Sequence, residues 1–235
     1  MQYNTQAVLV PKRRVVDAFT RTLHALMAVS FGLAYITSEM DGLRLVHVTL
    51  GYTLGAVFLV RVVWGAVGPR RVSLWVLGEK LRGIGQLAES IRRRDWRSAL
   101  KTLLAVSMVT LLVSMFPVVA SGYVTYFKLL GQWTKEVHEL LGNVMVLAVS
   151  CHVGAVVLLG LGHFEGQIRP MWTGLVAGKG PDLVKKNLTS AAVAVVLLMV
   201  SFWSWQMYQY IHDPQLKHQL SWLHPEGGYQ EEGED

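Results

Sequence analysis

Four of the eight histidines in this 235-residue chain lie inside long apolar stretches, where an ionisable side chain is costly and usually serves a function. They are His24, His47, His138 and His152. The last two are separated by fourteen residues of one stretch. Fourteen helical residues rise about 21 Å and return to within about 40° of the starting direction. These two imidazoles are therefore predicted to leave the same face of one helix at two depths.

The other two histidines supply a partner at each depth. His47 lies near the outer end of its stretch and is predicted to pair with His138. His24 lies on the inner half of its stretch and is predicted to pair with His152. We call these the outer pair and the inner pair. Two imidazoles that face each other across a helix bundle are typical of the axial ligands of a haem iron, so the pattern predicts two haems.

Cations near the histidines could neutralise the carboxylate groups of a haem. They are Arg21 and Arg61 for the inner pair, and Arg44 and Lys135 for the outer pair. Gly51, Gly55 and Gly142 follow two of the histidines at helical spacing. Such small residues either let helices pack closely or leave room for a ring, and the sequence does not separate the two.

Five apolar stretches are long enough to position these residues in a bilayer, which needs about 20 residues per helix. They are predicted at about 15–37, 45–67, 100–122, 137–161 and 188–211. The first contains Arg21 and His24 and lacks a small-residue cleavage site, so it is expected to stay as an anchor. The predicted fold is an all-α membrane protein: a four-helix bundle over residues 1–175, a fifth transmembrane helix within 176–211, and a tail, 212–235.

The distribution of Lys and Arg predicts the orientation of the chain. The segments before the first stretch, after the second and after the fourth carry most of these residues. The opposite side has only Arg44, Lys128, Lys135 and Lys217. Because cytoplasmic loops are rich in Lys and Arg, the N-terminus is predicted to be cytoplasmic and the C-terminal tail to lie on the opposite side of the membrane.

Composition excludes several classes of protein. The chain is 52% hydrophobic and 16% charged, whereas soluble domains have roughly a quarter of their residues charged. Its one cysteine, Cys151, excludes an intramolecular disulfide framework and a covalent CxxCH haem attachment. The net charge of +6 lies mainly in the predicted cytoplasmic loops, where 72–97 has the apolar spacing of an amphipathic helix on an anionic leaflet. Nucleic acid is not an expected partner.

Several short stretches resemble a known family. They are the segment from Asp17 to His24, Val46-His47 with Gly51, the run from Val60 to Gly65, the segment from His138 to Gly142, and His152 with Ala155. Over residues 10–175 the chain resembles bacterial di-haem cytochrome b561 proteins and the b-type cytochrome subunits of membrane-bound nickel–iron hydrogenases and formate dehydrogenases. Two features depart from that pattern: Ala25 stands where Trp often follows the first histidine, and the simplest members lack the fifth span and the tail.

The resemblance implies two haem b groups held by the four histidines, and electron exchange with membrane quinone. It also implies a bacterial inner (cytoplasmic) membrane, so the C-terminal tail is expected to be periplasmic. Asp17, Glu136 and Glu139 are candidate groups for the accompanying protons, as is Glu165. The implied function is electron transfer between quinone and a periplasmic partner, namely a c-type cytochrome or a hydrogenase or dehydrogenase subunit. A stand-alone quinone oxidoreductase is the alternative. A transporter that uses the histidines as a relay for protons or metal ions stays open; it predicts no chromophore and broken helices.

Overall fold

The computed structural model describes residues 11–68, 85, 87–161 and 169–213. Most of the predicted amphipathic segment before residue 87 and the tail beyond residue 213 lie outside these ranges, as does Glu165. The helices are α1 (Ala18–Thr37), α2 (Arg44–Val67), α3 (Leu87–Arg92), α4 (Trp96–Tyr126), α5 (Trp133–Leu161), α6 (Arg169–Thr173) and α7 (Thr189–His212). The strands are β1 (Lys12–Arg14) and β2 (Leu175–Ala177). The protein is an all-α membrane protein, as the sequence predicted.

The five long helices coincide with the five apolar stretches. Four of them, α2, α4, α5 and α7, are long and apolar enough to cross a membrane. Helix α1 does not reach the same hydropathy, since Arg21 and His24 lie within it. Its 20 residues nevertheless extend about 30 Å, which is the thickness of a bilayer core. A fifth span at α1 stays a prediction.

Consecutive long helices run antiparallel and pack in pairs. Helix α1 packs on α2, and α4 packs on α5, which is the most extensive helix pair. Helix α2 also packs on α4, and this contact joins the two helix pairs. Helix α7 packs on α1 and α2. We name the two ends of the bundle after the predicted orientation. The inner end is where α1, α4 and α7 begin, and the outer end is where they finish.

The centre of the bundle is an apolar cluster drawn from four helices. It comprises Phe31, Leu54, Phe58, Met115, Val118 and Met145. Met145 is almost fully buried and stands seven residues from both His138 and His152 on α5. Phe31 and Leu54 likewise stand seven residues after His24 and His47. Because seven residues make nearly two helical turns, this cluster lies between the two predicted depths of the histidines.

A small antiparallel sheet ties the start of α1 to the start of α7. Strand β1 pairs with β2, with Arg13 opposite Val176. The amide of Ala18 also donates to the carbonyl of Asn187 at 2.9 Å. The chain can turn into β2 because Gly174 has φ of +76°, and an added Cβ there would lie 2.6 Å from the carbonyl oxygen of Val16. This sheet could not be predicted from sequence, since three-residue strands carry almost no periodic signal.

Asp17 begins α1 and is fully buried. Its carboxylate accepts hydrogen bonds from the backbone amide of Thr20 at 2.6 Å and from the Thr20 hydroxyl at 3.0 Å. The same hydroxyl accepts from the indole of Trp64 on α2 at 3.2 Å. An N-cap of this kind stabilises a helix by about 1 kcal/mol. Asp17 therefore fixes the inner end of α1 against α2, close to the inner pair.

The described part of the predicted amphipathic segment is interrupted. Helix α3 ends at Arg92, and Arg94 then adopts the left-handed conformation with φ of +57°. Asp95 caps the next helix by accepting from the amide of Ser98 at 3.1 Å. Glu89 of α3 accepts from the guanidinium of Arg92 at 2.8 Å, which lowers the pKa of this exposed carboxyl. The continuous helix predicted as far as residue 97 is therefore wrong at this turn, and α4 begins four residues before the predicted span.

Candidate functional site

The two histidines of the outer pair lie opposite each other across the bundle. The ring centroids of His47 and His138 are 6.1 Å apart, and the ring planes are nearly perpendicular at 84°. A metal–imidazole bond is about 2.0 Å, so two imidazoles on opposite sides of one metal have ring centres roughly 6 Å apart. The observed separation therefore fits one metal ion between the two rings.

Backbone carbonyls of neighbouring helices hold both outer rings. His47 Nδ1 lies 2.8 Å from the carbonyl of Ala34, in the last turn of α1, where carbonyls lack helical partners. His138 Nδ1 lies 3.1 Å from the carbonyl of Val118 and 3.0 Å from Ser121 Oγ. Since a carbonyl only accepts, Nδ1 carries the proton in each ring and Nε2 keeps its lone pair. Both Nε2 atoms are therefore suited to bind a metal.

A glycine on α4 allows the His138 ring to take this position. A Cβ added at Gly122 would lie 2.9 Å from His138 Cε1 and 3.3 Å from Nδ1. Any larger residue would push the ring away from α4 and from the Val118 carbonyl. Gly122 and Ser121 carry no signal in the sequence, because their role depends on the contact between α4 and α5.

The structure shows which glycines near the outer pair serve close helix packing and which adjoin open space. A Cβ at Gly55 would lie 2.9 Å from Val119 Cγ1, so this glycine serves close packing of α2 on α4. A Cβ at Gly51 or at Gly142 would have nothing within 4 Å. These two glycines stand one turn after His47 and His138, on the same faces as the imidazoles. Open space therefore adjoins both outer rings, as a flat bulky group requires.

The inner pair is more weakly anchored than the outer pair. His24 and His152 are within electrostatic range of each other. His152 Nδ1 lies 3.4 Å from the hydroxyl oxygen of Ser107, which itself donates to the carbonyl of Leu104 at 2.9 Å. The Ser107 oxygen is thus placed to accept from His152 Nδ1. Among the residues that the structure describes, His24 makes no hydrogen bond, and its side chain is accessible.

Arg61 is the predicted cation with the clearest relation to the inner pair. It stands fourteen residues after His47 on α2, so it shares that face of the helix at the depth of His24. His24 and Asp17 both lie within its electrostatic range. Its Nη1 is buried and has no hydrogen-bond partner within the described ranges. Because a buried donor without an acceptor is costly, this atom suits an anionic group such as a carboxylate.

The other three predicted cations differ in their surroundings. Arg21 donates from Nη1 to the carbonyl of Trp172 at 2.6 Å, which links α1 to α6 at the inner end. Arg44 begins α2, and Lys135 lies exposed in the first turn of α5. Each precedes its outer histidine by three residues, at the outer end of the bundle. The roles of all three toward a cofactor stay predictions.

The arrangement is one of two pairs and not of a larger cluster. Within residues 11–68, 85, 87–161 and 169–213, no group of three or more His, Cys, Asp or Glu side chains could hold a metal ion. A haem iron needs only one protein ligand on each face, since the porphyrin supplies the others. The outer imidazoles, with anchored Nδ1 atoms and open space beside them, and the buried guanidinium nitrogen near the inner pair therefore fit haem.

These features define a multi-pass helical membrane protein with paired histidines at two depths. A family model described as prokaryotic cytochrome b561 matches residues 15–174, and the chain belongs to this family. The resemblance noted in the sequence is thereby confirmed. The family is one of membrane b-type cytochromes that transfer electrons, and it implies haem b as the cofactor. Helix α7 and strand β2 lie beyond the matched range.

Two further comparisons gave no match. Neither a search of curated proteins nor a search of solved structures found a protein similar to this chain.

Proposed function

We propose that the protein is a di-haem cytochrome b, with His47 and His138 as the axial ligands of an outer haem and His24 and His152 as those of an inner haem. The observation that carries this proposal is the 6.1 Å separation of the outer rings. The short contacts of both outer Nδ1 atoms with carbonyls support it, because they leave each Nε2 available.

The chain's own residues orient and insulate the two centres. When bound, haem supplies an iron that gains or loses one electron. The carbonyls of Ala34 and Val118 fix the outer imidazoles, so little reorganisation accompanies the change of charge. The central apolar cluster, with Met145 almost fully buried, excludes water between the two depths. Arg61 would neutralise a carboxylate of the inner haem.

A cavity at the inner end supports quinone as the membrane substrate. It has a volume of about 430 Å³ and is lined mainly by apolar surface. Asp17, Trp64 and Leu188 line it, as do Lys185 and Lys186. Quinone needs two protons with its two electrons, and the buried carboxylate of Asp17 and the side chains of Lys185 and Lys186 line this otherwise apolar region. Quinone would therefore exchange electrons at the inner haem.

The partner at the outer end would be a redox protein. We propose that the chain is the membrane subunit of a larger complex with a periplasmic c-type cytochrome or a hydrogenase or dehydrogenase subunit. A stand-alone quinone oxidoreductase is the alternative, and copurification of a second redox subunit from native membranes would distinguish the two.

Haem content is the direct test of the proposal. We expect a dithionite-reduced minus oxidised spectrum of the purified protein to show b-type bands, and a pyridine haemochrome assay to give two haems per chain. A colourless preparation, obtained with adequate haem supply, would contradict the proposal. It would favour the histidine-relay transporter, although α4 continues unbroken through Pro117 from Trp96 to Tyr126.

The predicted orientation has its own test. A reporter fused after residue 235 is expected to be active only in the periplasm, whereas one fused before residue 1 should be cytoplasmic, because the inner-end connections carry most of the Lys and Arg. Reporters on the same side of the membrane would contradict five spans.

A further inference from the structure

Helix α4 provides no histidine, yet it places a serine beside each histidine of α5. Ser107, Ser114 and Ser121 recur every seven residues on α4. His138, Met145 and His152 recur with the same spacing on α5. The two helices are antiparallel, so Ser121 meets His138 at the outer depth and Ser107 meets His152 at the inner depth. Ser114 holds the central position, between the two pairs.

The two serine contacts are not equivalent. His138 Nδ1 has a second acceptor, the carbonyl of Val118 at 3.1 Å, in addition to Ser121 Oγ at 3.0 Å. Within the described ranges, Ser107 Oγ at 3.4 Å is the one acceptor for His152 Nδ1. A main-chain carbonyl cannot be removed by substitution of a side chain. Loss of the Ser121 hydroxyl would thus leave His138 anchored, whereas loss of the Ser107 hydroxyl would leave His152 without an acceptor.

The hydroxyl of Ser107 is also oriented to accept a hydrogen bond from His152 and not to donate one to it. Its hydroxyl hydrogen is directed to the carbonyl of Leu104 at 2.9 Å, one turn earlier on α4. The lone pairs of Oγ then face the His152 ring, which favours the tautomer with the proton on Nδ1. That tautomer keeps the lone pair on Nε2, the nitrogen that a metal would bind.

We propose that Ser107 is the positioning residue of the inner haem ligand His152, and that Ser121 is redundant toward His138. This inference rests on the proposed function and adds to it an asymmetry between the two centres. The inner centre depends on one side-chain hydroxyl, whereas the outer centre depends on main-chain carbonyls.

The test compares Ser107→Ala, Ser121→Ala and Ser114→Ala in the full-length haem-loaded protein. Loss of an outer-shell partner of a metal ligand typically weakens metal binding 10–100-fold. We expect Ser107→Ala to lower the affinity of the inner haem by about that factor, measured by haem transfer to an apo-acceptor protein. Ser114 donates to the carbonyl of Thr110 at 2.7 Å, so Ser114→Ala removes a comparable hydroxyl away from both pairs and should change neither haem.

A redox titration provides a readout that a purely structural role would not alter. An imidazole that loses the acceptor at Nδ1 becomes a less basic ligand and stabilises ferric iron less. The midpoint potential of the inner haem should therefore rise in Ser107→Ala, with the outer haem unchanged. Ser107→Thr keeps a hydroxyl and should restore the potential and the affinity.

The outcomes separate this inference from the proposed function. Two haems in the wild type, together with Ser107→Ala behaving like Ser114→Ala, would overturn the role of Ser107 and leave the di-haem proposal intact. An effect of Ser121→Ala as large as that of Ser107→Ala would overturn the asymmetry. Absence of haem from the wild type would overturn the proposed function itself.

Discussion

Replacement of His138 by alanine is expected to remove one haem and to leave the other. The His138 ring faces His47 at 6.1 Å between centroids and belongs to the outer pair alone. The inner histidine of the same helix, His152, is fourteen residues or about 21 Å away along the axis, so its centre should stay loaded. The pyridine haemochrome assay should fall from two haems per chain to one.

Companion variants define the pairing. His47→Ala should give the same single-haem spectrum as His138→Ala, and the double variant should lose nothing more. His24→Ala and His152→Ala should retain the complementary haem, with the midpoint potential of the outer centre. His212 is a suitable control, because it lies on α7 with Nδ1 bonded to the carbonyl of Tyr208 at 2.9 Å. His212→Ala should keep both haems.

Two results would contradict the pairing. Loss of both haems in a stably folded His138→Ala protein would mean that the two centres are not independent. Retention of both would mean that the outer haem uses a different ligand.

The histidine pairs could be predicted from sequence because residue type and spacing alone mark them. An imidazole in an apolar stretch is rare, and the fourteen-residue spacing on one helix sets both the depth and the face. The structure brings His47 and His138 together as expected, and places His24 within electrostatic range of His152. Whether all four bind haem stays a prediction until haem is counted.

The anchoring of the rings could not be predicted in the same way. The acceptors of Ala34 and Val118 are main-chain carbonyls, which every residue has, so no residue type marks them. Ser107 and Ser121 are visible as a seven-residue repeat, but their partners follow only from the register between α4 and α5. A serine in an apolar helix is otherwise an ordinary residue that bonds to its own backbone.

The glycines show how tertiary contacts distinguish residues that are equivalent in sequence. Gly51 and Gly55 both follow His47 on α2, four residues apart. Only Gly55 meets another helix closely, at Val119, whereas Gly51 adjoins open space.

The same holds for the cations: Arg21 and Arg61 are both predicted for the inner haem, but their surroundings differ. Arg21 bonds to the Trp172 carbonyl, and Arg61 retains a buried nitrogen without an acceptor in the described part of the chain.

Filling the open space beside His138 is expected to block the outer haem without loss of the fold. In Gly142→Leu the new side chain would enter a region where a Cβ meets nothing within 4 Å, so it should not collide with protein atoms. Helix propensity favours the change by up to about 1 kcal/mol, since glycine is a poor helix former. If a haem occupies that region, the leucine displaces it. The haemochrome assay should then give one haem per chain, with the thermal unfolding temperature of the haem-free protein unchanged or higher.

Gly154→Leu is the matched control on the same helix. A Cβ at Gly154 also has nothing within 4 Å, but this position is twelve residues, or about 120° of rotation, away from Gly142. It therefore faces away from the outer pair, and Gly154→Leu should keep both haems. Two haems in Gly142→Leu would show that the open space beside His138 does not hold the cofactor. Loss of one haem in Gly142→Leu but not in Gly154→Leu would instead place the outer haem beside the His138 ring. Gly122 and the Val118 carbonyl hold that ring against α4.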